Sequence, residues 1–106
     1  IKKALEFDGP KYIQVCSPCP RGWRSDASDT VKIGRMAVET AMYPLFEMEN
    51  GEIKDAKKIK DRKPVEEYLQ VQGRFEHLFE KEEGEEVIEE LQRFADENAE
   101  RFNLDK

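Results

Sequence analysis

The stretch from Lys11 to Ser25 constrains this chain more than any other. Tyr12, Ile13 and Val15 make Lys11–Val15 an aromatic and β-branched run that reads as a strand. Cys16–Ser25 follows at once and carries Pro18, Pro20 and Gly22, so it reads as a loop at the carboxyl end of that strand. Upstream, Ile1, Ala4 and Leu5 share one helical face within residues 1–8, and Gly9-Pro10 ends the helix. Helix, Gly-Pro stop, then apolar strand is the αβ step of a parallel α/β layer, whose ligands collect beyond the carboxyl ends of the strands. A chain that opens in such a step, on Ile1 and not Met, with no signal-like apolar segment, is expected to be a piece of a longer one.

The remaining elements follow from periodicity. Ser28 or Asp29 can cap a helix in which Ile33, Met36, Ala37, Thr40 and Ala41 recur at three and four, and Pro44 ends it. Leu45–Lys54 reads as a hairpin, with Asn50-Gly51 as a type I′ turn between Phe46, Met48 and Ile53. Residues 55–63 are a charged connector. Pro64 then opens a helix with Val65, Tyr68, Leu69 and Val71 on its buried face, and Gly73 interrupts it before a short helix at Phe75, Leu78 and Phe79. A last helix over 85–102 aligns Val87, Ile88, Leu91, Phe94, Ala95 and Phe102.

Composition narrows the function. The 106 residues allow one small domain with a thin core. No run approaches the roughly 20 apolar residues of a membrane span. Residues 1–63 carry a net charge of +3 and residues 64–106 one of −9. An acidic tail of that size repels phosphate backbones, which argues against nucleic acid as a partner. The basic run Lys54, Lys57, Lys58, Lys60, Arg62, Lys63 reads as a solvated edge.

Cys16 and Cys19 are the sole cysteines, too few for a disulfide framework, and point to a reducing cytoplasm. Their C-x-x-C spacing has three readings. A thioredoxin-like redox pair needs the cysteines to open a helix, which Pro20 and Gly22 are expected to break. One or both thiolates can ligate a metal or cluster completed from another segment, since two cannot close a tetrahedral site. Both can also be small apolar residues packed beside a strand end.

The stretch Gly9-Pro10-Lys-Tyr-Ile-Gln-Val-Cys16-Ser-Pro-Cys19-Pro-Arg-Gly22-Trp23 resembles the end of the thiamine-diphosphate-binding (β) subunit of 2-oxoacid:ferredoxin oxidoreductases, most nearly the pyruvate synthase type. The likeness continues through Gly34–Thr40, Tyr43-Pro44-Leu45, Glu49-Asn50-Gly51, Arg62–Leu69 and Gln72-Gly73-Arg74-Phe75. It implies the C-terminal part of a thiamine-diphosphate-binding α/β domain over residues 1–63, ending in last strand, cluster loop, helix and hairpin. Residues 64–106 would be a helical acidic extension. It further implies oxidative decarboxylation of pyruvate with coenzyme A, or the reverse, with electrons passing through a 4Fe–4S cluster to ferredoxin. Cys19 matches the family's fourth cluster cysteine, while Cys16 matches no ligand and is expected to pack at the strand end. The other three cluster cysteines and the Gly-Asp-Gly…Asn motif for thiamine diphosphate and Mg²⁺ belong to the part of the subunit that precedes this stretch. The expected partners are therefore the other subunits, ferredoxin, the 2-oxoacid and coenzyme A. The competing classes are a small thiol–disulfide oxidoreductase and a non-catalytic interaction module.

Other residues carry less. Trp23 can shield a cluster or simply pack. Arg21 and Arg24 read as solvated loop charges, His77 as a surface histidine, and Glu66, Glu67 and Glu82–Glu90 as a solvated acidic face. Phe75, Leu78, Phe79 and Phe94 are expected in the core or a subunit interface.

Overall fold

A computed structural model describes residues 1–105. In chain order the regular elements are a single helical turn α1 (Pro20–Trp23), α2 (Thr30–Glu39), the strands β1 (Phe46–Glu49) and β2 (Glu52–Ala56), α3 (Val65–Gln70) and α4 (Glu83–Arg101). Three stretches of 3₁₀ helix lie at Lys3–Glu6, Ala27–Asp29 and Gly73–Phe79. Among the described residues the only sheet is the antiparallel β1–β2 pair. The chain is thus helical with a two-stranded sheet, an arrangement consistent with a piece of an α/β domain.

The core forms where α2, α3 and α4 bring their apolar faces together. Ile33, Met36 and Ala37 of α2 meet Val65, Tyr68 and Leu69 of α3 and Ala95 and Ala99 of α4, closed by Ile59, Leu78, Phe102 and Leu104. Helix α2 ends as its sequence requires. The Thr40 hydroxyl donates back to the Met36 carbonyl at 2.7 Å, Ala41 turns left-handed at φ +66°, and Pro44 bars continuation. The freed Ala41 carbonyl accepts from the Asn98 amide of α4 at 2.9 Å. Helix α4 serves α3 in the same way, since the Val65 N–H donates to the Gln92 side-chain oxygen at 3.0 Å. Pro64 is therefore the residue before the helix rather than its first.

Helix α4 starts near its expected place, but its face is rotated. Ala95 and Ala99 are fully buried, whereas Val87 and Phe94, expected inside, are 44% and 49% exposed. Small residues let the helix approach closely along one line, and the larger side chains are left at its margin. Close approach is sharpest at Gly84, where an added Cβ would come within 1.9 Å of the Leu78 carbonyl oxygen.

The hairpin obeys its turn signal, with Asn50 and Gly51 both left-handed at φ +51° and +81°. Met48 pairs with Ile53 but Glu47 with Asp55, so Lys54 is an extra residue bulged out of the ladder. The bulge sets Ala56, not Asp55, opposite Phe46. Phe46 can then stack on Phe102 with ring centroids 4.3 Å apart.

Three expectations need correction. The helix over 1–8 is only the 3₁₀ turn Lys3–Glu6, because it buries no side chain against anything. The strand at Lys11–Val15 is extended but unpaired, with Tyr12 84% and Val15 79% exposed. A strand exists through its ladder, and no described segment lies beside this one to complete it. The parallel layer is accordingly not formed among these residues. Third, the basic connector is not simply solvated. Arg62 bonds Asp96 at 2.6 Å and Asp105 at 3.1 Å, Lys63 pairs with Glu39 at 2.9 Å, and Lys58 donates to the Asn103 carbonyl. These contacts pin the connector to the C-terminal end of α2 and to the C-terminal part of α4 and the residues after it. No helix is long and apolar enough to cross a membrane among the described residues.

Two outcomes follow from this packing. Leu69→Ala empties a fully buried position between three helices. It should cost about 2–5 kcal/mol in urea unfolding. The Arg62 hydrogen bond holds the Asp96 carboxyl below its usual range. The resulting stabilisation is present above the carboxyl's unfolded value near 3.8 and is lost as pH falls through the depressed folded value. Melting temperatures measured from pH 6 down to about 2 should therefore fall less steeply for Arg62→Met than for the parent chain.

Candidate functional site

The two cysteines are placed differently. Cys16 is half-buried and Cys19 exposed, and both are free thiols. Cys16 was expected at a strand end in the core; with the strand unformed it lies only partly covered. Cys19 caps α1 with an extended backbone, and its sulfur accepts from the Gly22 N–H at 3.5 Å. Its carbonyl accepts from the Trp23 N–H at 2.8 Å. Pro20 and Gly22, expected to break a helix here, both lie within one. Pro20 occupies the first helical position, where a missing N–H costs nothing and a fixed φ fits. The turn stops one residue past Trp23, where Arg24 is left-handed at φ +52° and the Ser25 N–H closes back onto the Pro20 carbonyl at 2.9 Å.

The loop is anchored on both sides of Cys19. Before it, Pro18 rests on α2 at Gly34, whose absent Cβ would lie 3.5 Å from the proline ring. After it, Arg24 and Gly73 bond reciprocally. The Gly73 N–H donates to the Arg24 carbonyl at 2.8 Å, and the Arg24 guanidinium donates to the Gly73 carbonyl at 2.5 Å. Only glycine fits there, because a Cβ would stand 2.7 Å from that of Arg24. Arg24 and Arg21 are both exposed, as expected of loop charges, but Arg24 also clamps the loop to Gly73.

Trp23 packs half-buried against the core, and the Arg74 guanidinium lies 3.9 Å from its ring centroid. Arg74 donates to the Gln72 side chain at 2.7 Å and to the Tyr68 hydroxyl at 3.5 Å. Gln72 is 1% exposed and donates in turn to the Tyr68 carbonyl at 2.7 Å. Burial pushes the Tyr68 phenol up, and the nearby Arg74 charge opposes that shift.

The other candidates do not join this site. His77 is exposed on the 3₁₀ stretch, and Glu66, Glu67 and the glutamates of Glu82–Glu90 are solvated as expected. Phe79 and Phe94 are largely exposed, whereas Leu78 is buried and Phe75 partly so. Two open surface hollows of about 300 and 350 Å³, one beside Glu66 and Phe79 and the other beside Arg62 and Asp96, include neither cysteine. No group of three or more His, Cys, Asp or Glu side chains gathers at metal-binding spacing among the described residues. Cys19 thus presents one accessible sulfur, with one N–H directed at it. Gln72, Gly73 and Arg74 were missed as members of the site. Their sequence signal was the break at Gly73, which identifies a bend but not the residue 49 positions away that it meets.

No family model matches the chain. Pyruvate synthase subunit PorB of Methanosarcina barkeri is 52% identical over 104 residues, covering 98% of this chain and 35% of that protein. The same-named subunit of Thermotoga maritima is 45% identical, covering 96% of this chain and 32% of its own length. Ketoisovalerate oxidoreductase subunit VorB of Pyrococcus abyssi is 44% identical, again over 96% of this chain and 32% of that protein. The chain spans about a third of the length of these relatives. Over that third it belongs to the PorB family of oxidoreductase subunits.

Proposed function

We propose that this chain is the C-terminal part of the β subunit of a 2-oxoacid:ferredoxin oxidoreductase, with pyruvate as the substrate and Cys19 as a ligand of a 4Fe–4S cluster. The observation that carries the reading is 52% identity with a pyruvate synthase subunit across nearly the whole chain. Pyruvate is favoured over a branched 2-oxoacid because the relatives named for pyruvate reach 52% identity and those named for ketoisovalerate 44%.

The local geometry fits a cluster ligand. An iron–sulfur cluster takes thiolates that are accessible yet held in direction, and sulfurs that accept backbone N–H bonds have tuned potentials. Cys19 is exposed, fixed by an α-turn and two prolines, and paired with the Gly22 N–H. Cys16 is half-buried and is left out of the ligand set. When bound, thiamine diphosphate with Mg²⁺ supplies a carbanion-stabilising centre and the cluster a one-electron carrier toward ferredoxin. We assign no residue of this chain to thiamine diphosphate, Mg²⁺, the 2-oxoacid or coenzyme A. The chain's own contribution is to hold the Cys19 sulfur and to orient it from Pro18 and Pro20, with the Trp23 backbone N–H on the Cys19 carbonyl. The natural partners are the remaining subunits and ferredoxin, and two free thiols suit a reducing cytoplasm.

The direct test is Cys19→Ser in the complete subunit, purified anaerobically with its partner subunits. The variant should lose the visible absorbance and iron of one cluster, while Cys16→Ser should keep them. Unchanged iron in Cys19→Ser would sink the ligand assignment.

A further inference from the structure

We infer that Arg74 is a positioning residue for Cys19, setting the direction of its sulfur through Trp23. The inference rests on the reading of Cys19 as a cluster ligand. On the upstream side, Lys11–Val15 is exposed and in no ladder, and the loop is held there by the contact of Pro18 with α2 and by a long bond of 3.5 Å from the Tyr43 hydroxyl to the Gln14 carbonyl. The direction of Cys19 is set mainly from downstream, by the turn that runs from Cys19 to Trp23.

A continuous series of contacts joins that turn to the core. Leu69 and Val65 are fully buried and fix α3. Gln72, itself buried at its end, is oriented by the Tyr68 carbonyl at 2.7 Å and turns its oxygen to Arg74 Nε at 2.7 Å. The guanidinium, also bonded to the Tyr68 hydroxyl, lies 3.9 Å from the Trp23 ring centroid and 4.6 Å from that of Phe75. Trp23 donates its backbone N–H to the Cys19 carbonyl at 2.8 Å, so the residue whose indole Arg74 covers is tied directly to the one that carries the sulfur. The neighbouring Gly73–Arg24 pair fixes the backbone but not the indole. Arginine alone among the side chains offers a flat cation for the ring together with a fork of donors for Gln72 and Tyr68. Lysine keeps the charge and loses the fork.

The test measures iron release to bathophenanthroline from the anaerobically purified, assembled enzyme. The relevant kinetic phase is the one absent from Cys19→Ser. Loss of a group that orients a metal ligand weakens metal retention about ten- to a hundredfold, so Arg74→Met should speed that phase by at least about tenfold. Arg74→Lys, a milder change, should speed it too. Arg62→Met removes ion pairs remote from the loop and serves as the stability control; it should lower the melting temperature without altering the phase. An unchanged phase in Arg74→Lys, or equal acceleration in Arg62→Met, would overturn the positioning role. Retention of all iron by Cys19→Ser would instead remove the underlying reading, which separates the two failures.

Discussion

Gly73 and Arg24 exchange two hydrogen bonds, at 2.8 and 2.5 Å, and the placement of the cysteine loop on the helical core depends on that exchange. A glycine is obligatory because its partner's backbone and Cβ occupy the space a side chain would need. The pair ties a proline-rich loop that has almost no regular structure to the end of α3, the most deeply buried short helix. From there the stiffness of the core reaches Cys19. Without it, Pro18 on Gly34 would be the loop's main support. Anchoring through one backbone bond and one from the Arg24 guanidinium suits a site residue on a loop, since it holds the loop at a neighbouring residue and leaves the cysteine itself exposed.

What was legible in the sequence was local. Asn50-Gly51 specifies its own turn, and Pro44 its own helix end, because each acts through the φ and ψ of one or two residues. The spacing of Ile33, Met36 and Ala37 identifies the inner face of α2 for the same reason. Lys11–Val15 is extended but forms no ladder, because strand character lies in a partner, which the described residues do not contain. Phe94 and Val87 were misplaced because helical periodicity marks an apolar arc without saying which part of it meets a neighbour, and the alanines decided that. Pro20 was read as a helix breaker, although its position one residue after a capping Cys19 makes it a helix starter.

The site divides along the same line. Cys19 could be singled out from the Ser17–Trp23 motif. Arg74, Gln72 and Gly73 could not, since their roles arise from contacts spanning the chain. Arg62 shows the same effect in the charge pattern. It belongs to a basic run, yet its side chain is mostly covered and shared between Asp96 and Asp105. Charge density along a sequence thus separates solvated faces, such as Glu82–Glu90, from paired ones only after folding has brought the partners together.

The central claim is that the Cys19 sulfur is bonded to iron in the complete enzyme while Cys16 is not. Anaerobic alkylation with iodoacetamide, read by mass spectrometry before and after chelation of the iron, measures this directly. Exposure alone makes Cys19 the more reactive thiol, so protection of Cys19 runs against the accessibility seen here. The account predicts that Cys19 resists alkylation in the iron-loaded enzyme and becomes modified once the iron is removed. Full modification of Cys19 with the iron still bound would contradict it.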